Sequence, residues 1–484
     1  MKLPLPPTMS SRILLFSAII AFLWLGFSSC KKDKFTTNGA LDFSNDTVIF
    51  DTVFTQIGSS TKAFKIYNTH NENIRISKIY IAGGETSKYR MNIDGVSGRV
   101  FTDIEIAPND SMWGFVEVTL DPNNQNTPLI VTDSIIFETN GVQQDIDLVA
   151  FGQDAIFLYP EPGNFGFYLD CSELNWNSTK PYVIYGQAIV KPGCTLDMAP
   201  GTRVYIHKYS SLAIAEGAGL DIHGTKSDSV IIQGDRLELD YRELPGQWQG
   251  LFIKQPILAN IDYAVIKNGN LGIFCDGDST NSIPASATVH ITNTKVLNMG
   301  ATCFYGRHSK VKMENCVWGN GAQYVAAFTQ GGDYECNNCT FADYYSYATR
   351  NTPAVLITNY FQDENDVVYS YDLTNILFNN CLIYGSNPSE LEFSNQGGGQ
   401  FNYKFRNTMF RVKDDFSSSD ANYFESIYRN PNGDSLFVNS AINDYHLRQT
   451  SPARDKGNSG ATPIDIDGKP RDSSPDLGAY EFIP

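Results

Sequence analysis

This sequence is short of positive charge, of histidine and of long apolar runs. Thirty-six Lys and Arg stand against 53 Asp and Glu, a formal net charge of −17. A surface that tracks phosphates needs clustered Lys and Arg, so nucleic acid is excluded as a partner. The acidity itself fits solubility; its functional alternatives are repulsion of polyanions or capture of cations. Charged residues make up only 18% of the chain, below the roughly 25% of an average soluble domain. The histidines at 70, 207, 223, 290 and 446 are scattered, without metal-ligand spacing. A phosphate-binding Gly loop, a Ser-His-Asp order and a zinc signature are all missing. After Ile13 to Phe27 no segment is apolar enough to cross a membrane.

What is present is aromatic and β-prone. Hydrophobic residues make up 42% of the 484, and there are 26 Tyr and 30 Phe. Ile13 to Phe27 has the length of a signal-peptide core and ends in Gly26-Phe27-Ser28-Ser29-Cys30. Small residues before a single Cys resemble a lipoprotein processing box. That resemblance implies cleavage before Cys30, acylation of Cys30 and an outer-membrane lipid anchor, with the membrane face left open. Residues 1–30 are then the leader and 31–41, beginning Lys31-Lys32-Asp33-Lys34, a polar tether.

Residues 42–153 read as short alternating strands, among them Thr47 to Phe50, Ala63 to Tyr67, Ile74 to Ile76, Phe115 to Val118 and Ser134 to Phe137. Period-two alternation with regular turns predicts a β-sandwich. No Cys lies between Lys31 and Asp170, so it is not pinned by an antibody-type disulfide. The order of Phe50, Gly58, Asn68, Pro108 and Gly152 resembles immunoglobulin-like domains of the ASH or choice-of-anchor D kind, which implies a spacer or docking unit.

Residues 165–440 carry a repeat. Val289 to Val296, Val311 to Trp318, Tyr334 to Phe341, Ile376 to Ile383 and Tyr403 to Phe410 superpose without gaps. Each sets Asn at one place: Asn293, Asn315, Asn338, Asn380, Asn407. Thr294, Cys316, Cys339, Cys381 and Thr408 follow, and Ala259 to Ile266 is a sixth copy with Tyr263 at the Asn place. Apolar positions step by two, shift by one at Asn, then step by two again. A straight strand with one buried face cannot do that; a corner can, and Asn tolerates the left-handed backbone of a tight corner. Stacked corners predict an Asn ladder at the strand spacing of about 4.8 Å. The spacing of 42 residues from Asn338 to Asn380 implies an inserted loop of about 20. Upstream, Pro192-Gly193-Cys194, Pro200-Gly201-Thr202, Gly224-Thr225 and Trp248-Gln249-Gly250 resemble the opening coils of right-handed parallel β-helices of the pectate-lyase superfold. The expected fold is all-β: an immunoglobulin-like sandwich followed by a right-handed parallel β-helix.

Eight Cys remain beside Cys30, an even number that suggests disulfides in an exported chain. The repeat argues instead for a buried thiol column at Cys316, Cys339 and Cys381, with Cys336-Asn337-Asn338-Cys339 structural rather than redox-active. At the end, Ser451-Pro452-Ala453-Arg454-Asp455-Lys456-Gly457 and Asp476-Leu477-Gly478-Ala479-Tyr480-Glu481 resemble the terminal motif of secreted bacterial β-helix proteins. Residues 441–484 are therefore expected to cap the solenoid.

Two surfaces are candidates for function. Asp276 and Asp278 leave one coil, Arg307 and His308 the next, Thr329 and Gln330 the one after. There the two Asp could hold Ca2+ and Arg307 or His308 act as base, as a lyase requires; otherwise no cofactor is expected. Around the insertion, Tyr344, Tyr345, Tyr347, Tyr360, Phe361, Tyr369 and Tyr371 offer rings for stacking on sugars, with Asp363, Glu364 and Asp366 for their hydroxyls. The leading expectation is a monomeric, lipid-anchored envelope protein of binding or adhesion, with the β-helix as a long interaction surface for which glycan is the plausible ligand. The alternative is a polysaccharide lyase or glycosidase on the Asp276/Arg307 flank.

Overall fold

The computed structural model describes residues 34–55, 58–122, 129–277 and 288–484. Cys30 and Asp278 lie outside the described residues. Among the described residues no helix is long and apolar enough to cross a membrane. The chain forms two compact units, one ending at Gly152 and the other continuing from Gln153.

The first unit is a sandwich of two five-stranded sheets. Alternation drives it: Ile74, Ile76, Ile79 and Ile81 point inward from one sheet, Phe64, Ile66, Val116 and Val118 from the other, all essentially without solvent exposure. Asn68 ends its strand because its buried amide donates to the carbonyls of Glu72, Ile106 and Ala107.

The second unit is a right-handed parallel β-helix with three faces. The first and second share a 17-stranded sheet, and the third is an 11-stranded sheet. The third face starts at Ile156–Leu158, which pairs in parallel with Tyr182–Ile184, so coiling begins ahead of residue 165. The first coil is fastened by a Cys171–Cys194 disulfide, and the other six described cysteines are buried thiols. Aromatic rings stack from coil to coil in the core, Phe378 on Phe405 at 4.8 Å and Phe405 on Phe424 at 5.6 Å.

The corner between the second and third faces has the predicted backbone. Tyr263, Asn293, Asn315, Asn338, Asn380 and Asn407 all have φ between 41° and 54°. In-register pairing runs Ile291 to Met313 to Cys336 to Phe378 to Phe405, so these corners lie in file. The residue after each Asn corner is fully buried and turns its donor back on the corner. Thr294 Oγ1, Cys316 Sγ, Cys339 Sγ, Cys381 Sγ and Thr408 Oγ1 each donate to the carbonyl two residues earlier. That shared task explains why either Thr or Cys stands there. A second file of left-handed asparagines, Asn268, Asn298 and Asn320, forms the corner after the third face.

Two expectations need correction. The amides do not form a continuous ladder: Asn315 Nδ2 donates to Asn293 Oδ1 at 3.2 Å, but Asn338, Asn380 and Asn407 donate to Gly478 O, Asn458 Oδ1 and Lys456 O. Those partners belong to the carboxyl-terminal segment, which is not an end plug. It runs back along the side of the solenoid, meeting Asn407 at Lys456, Asn338 at Thr462 and Asn315 at Ile464. Its Ala453, Ile466, Leu477, Ala479 and Tyr480 bury the outward residues of the third face, such as Val317, Ala342, Leu382 and Met409. The motif's carboxylates serve this strap: Asp476 accepts from the backbone N–H of Asp455 and Phe482, Asp465 from those of Asp467, Lys469 and Glu481. At the solenoid's end Phe416 packs on Phe393, Phe410 and Phe424.

Candidate functional site

The first face is flat, and pleating sends alternate side chains outward. Register gives one outward column running Tyr168, Ile189, Ala213, Phe252, Phe274, Tyr305 and on to Leu356. Each of these rungs is apolar or aromatic, while polar outward residues are the rule on a solvated sheet face. Phe252, Phe274 and Tyr305 are half-buried. Their centroids are 5.8 and 5.2 Å apart, edge to face. The next outward column is polar: Lys254, Asp276, Arg307, Thr329, Thr358 and Ser394.

Asp276 and Arg307 face each other across adjacent coils in a two-pronged pair, Nε to Oδ1 at 2.7 Å and Nη2 to Oδ2 at 2.6 Å. The hydrogen bond and charge of Asp276 raise the Arg307 pKa further above its ordinary value. In this arrangement the guanidinium is a protonated hydrogen-bond donor rather than a poised proton acceptor. Asp276 thereby spends one lone pair of each carboxylate oxygen on Arg307. The guanidinium also rests near the Phe274 ring, 5.4 Å from its centroid. His308 Nδ1 faces Gln330 O at 3.1 Å rather than the Asp276 carboxylate. Gly277 closes the strand because a Cβ there would meet His308 O at 1.7 Å.

The seven aromatic residues of the insertion divide. Tyr371 packs on His308 at 5.7 Å, beside the Asp276–Arg307 pair. Tyr360–Gln362 and Val368–Ser370 form an antiparallel hairpin next to the first-face strand Val355–Thr358. On it Phe361 and Tyr369 stack at 6.3 Å, each 46% exposed. Tyr360 Oη is bonded to Ser394 Oγ at 2.9 Å. Asp363 accepts from the N–H of Asn365 and Val367 and from Tyr369 Oη, so it shapes the turn. Tyr344, Tyr345 and Tyr347 leave from the third face instead. Tyr344 packs on Phe437, Tyr345 on Tyr347, and Tyr347 Oη donates to Glu243 O. A single platform of seven rings is therefore not what forms: four join the first face, three do not.

The column Phe252–Phe274–Tyr305 and one further cluster escaped the sequence reading. The motif Leu251-Phe252-Ile253-Lys254, Ile273-Phe274-Cys275-Asp276, Phe304-Tyr305-Gly306-Arg307 was a usable signal: buried, aromatic, buried, charged. On the second face, Asp197 and Asp221 pair in register. With His223 they make a group of carboxylate and imidazole ligand atoms lying within 4.8 Å of one another. Asn260 Nδ2 donates to Asp221 Oδ1 at 3.3 Å.

No protein-family model matches the chain, and no curated protein does. Solved structures similar to it include a protein of unknown function from Porphyromonas gingivalis, at 10% identity and TM-score 0.18, covering 27% of this chain and 60% of that one. Another is the ASH/PapD-like domain 7 of human CEP192, at 8% identity and TM-score 0.18, covering 26% and 90%. A third is the catalytic domain of a GH87 alpha-1,3-glucanase in complex with nigerose, at 10% identity and TM-score 0.18, covering 78% and 88%. The chain spans 60% of the first of these and 31% of a family 123 glycoside hydrolase from Clostridium perfringens. Likenesses at these scores leave the functional reading to the residues themselves.

Proposed function

We propose that this chain is a glycan-binding protein of the cell envelope, anchored through acylated Cys30, and that the first face of its β-helix is the binding surface. The observation that carries this reading is the aromatic column Phe252–Phe274–Tyr305 beside the polar pair Asp276–Arg307. Sugar rings present an apolar face and an equatorial rim of hydroxyls. A row of rings next to a row of polar groups matches both at once. Rigid strands hold the groups in place, so little order is lost on binding. Screening the purified protein on a glycan array tests this. Retention of glycans that is lost in Phe252→Ala/Phe274→Ala supports it; an array that stays blank, or retention indifferent to that double variant, refutes it.

Glycoside hydrolysis has one observation in its favour, on the second face rather than beside Arg307. Asp197 and Asp221 bring carboxylate oxygens within 4.8 Å, and retaining glycosidases hold their two carboxyl groups about 5 Å apart. Release of reducing ends, abolished by Asp221→Asn, would establish that activity.

A further inference from the structure

Building on the glycan-binding reading of the first face, we infer that this surface takes an uncharged, linear glycan laid along the solenoid axis. In it the Asp276–Arg307 pair serves as a hydrogen-bonding clamp, not as an anion receptor.

Direction follows from the columns. Each coil contributes one outward residue to the apolar column, so apolar contact continues only from coil to coil, along the axis. A chain lying across the face would meet one ring and then the charged column. From Tyr168 to Tyr305 the column spans roughly 24 Å at the strand spacing of about 4.8 Å, and the next rung, Ala327, is fully buried. The ring separations of 5.8 and 5.2 Å are close to the length of one pyranose unit, so successive sugars meet successive coils.

Charge settles the class. Among the described residues of the two columns the cations are Lys254 and Arg307. Lys254 faces Glu216 at 3.4 Å, and Arg307 is held by both oxygens of Asp276. A uronate or sulfate would meet a guanidinium whose charge Asp276, only 18% exposed, already neutralises, so it gains little charge attraction unless that pair is broken and the carboxylate left unpaired. Glu392, paired in register with Leu356, ends the apolar column on a negative charge. The net charge of −17 opposes polyanions at longer range. A hydroxyl needs no such exchange. It can donate to Asp276 or accept from Arg307 while the pair stays closed, since each partner keeps spare hydrogen-bonding capacity.

The test is calorimetric titration of the full chain with two sets of oligosaccharides. One set is neutral: β-1,4- and β-1,3-gluco-, xylo- and manno-oligosaccharides. The other is anionic: oligogalacturonate, hyaluronate and heparin fragments. The expected result is binding within the neutral set only, weakened about tenfold by Phe274→Ala and, independently, by Tyr305→Ala. Both side chains point outward, and circular dichroism checks that each variant is folded. Asp276→Asn, which frees Arg307, is expected to create binding of oligogalacturonate. Wild-type protein that prefers an anionic oligosaccharide overturns the inference while leaving the glycan-binding reading intact, as does an Asp276→Asn variant that still ignores oligogalacturonate. Absence of binding in both sets removes the reading and the inference together.

Discussion

The residue after each corner shows how much one side chain decides. Cys381 Sγ donates to Asn379 O at 3.2 Å and to Cys336 O at 3.4 Å, and burial pushes the thiols of Cys316 and Cys381 well up, so they stay protonated donors. Thr does the same work at 294 and 408. Cys381→Thr is therefore expected to be nearly neutral in urea unfolding, whereas Cys381→Val loses the donor and costs about 1 kcal/mol. Equal losses in the two variants would contradict the donor role. A second residue-scale prediction concerns Asp343, buried with Arg350 and Glu390. Burial raises its pKa from 3.8 to about 7. Between those values the folded chain holds a proton that the unfolded chain has released, so this group's contribution to stability falls as pH rises through the window and levels off above it. Asp343→Asn removes that titration. The stability difference between variant and wild type should shift in the variant's favour from pH 4 to 7 and then stay flat, as read from unfolding midpoints across pH. A difference that does not change with pH would contradict the assignment. The corner asparagines were legible in the sequence because a parity shift in a strand has few physical causes. The Asp276–Arg307 pair was legible in part: the sequence sets the two residues on neighbouring coils, but only the register shows that they pair with each other.

At the scale of elements, the carboxyl-terminal strap carries the clearest consequence. Leu477 is fully buried between the strap and the third face. Leu477→Ala should cost about 2–5 kcal/mol through lost burial and the cavity left behind, measured by denaturant unfolding. Removing residues 449–484 should expose the outward apolar residues of the third face and give a soluble yield far below that of the full chain. A truncated chain that is soluble and equally stable would show that the strap is dispensable. The motif at 451–457 and 476–481 was recognisable, but its path was not. Its contacts reach back across 49 residues to Asn407 and 149 to Asn315, and nothing local in the chain encodes a route along the side rather than over the end. The first coil offers a parallel case. Cys171 and Cys194 lie outside the repeat that carries the buried thiol column, and they close the disulfide that fastens the first coil. Cys171→Ser/Cys194→Ser should raise amide hydrogen exchange in Gly166–Tyr168 while leaving Thr302–Glu314 unchanged; uniform exchange along the solenoid would argue against a local clamp.

For the molecule as a whole, the all-β plan of a sandwich followed by a β-helix was readable because both parts rest on period-two burial with distinct turn chemistry. The binding face was not, because it emerges from coils of unequal length. The stretch from Gly277 to Thr288 intervenes between the first-face strand Leu271–Asp276 and the second-face strand Val289–Thr292, so Phe252, Phe274 and Tyr305 are unevenly spaced in the chain and become neighbours only on winding. A solenoid whose sides carry a strap, a polar second face and an apolar column on the first has one side suited to a long, flat, hydroxyl-rich ligand. The most direct measurement is a crystal structure of the protein with a neutral oligosaccharide that it binds. The sugar is expected to lie along the axis over Phe252, Phe274 and Tyr305, with hydroxyls at Asp276 and Arg307. A sugar seated over Asp197 and Asp221 on the second face, or on the sandwich, would contradict the account.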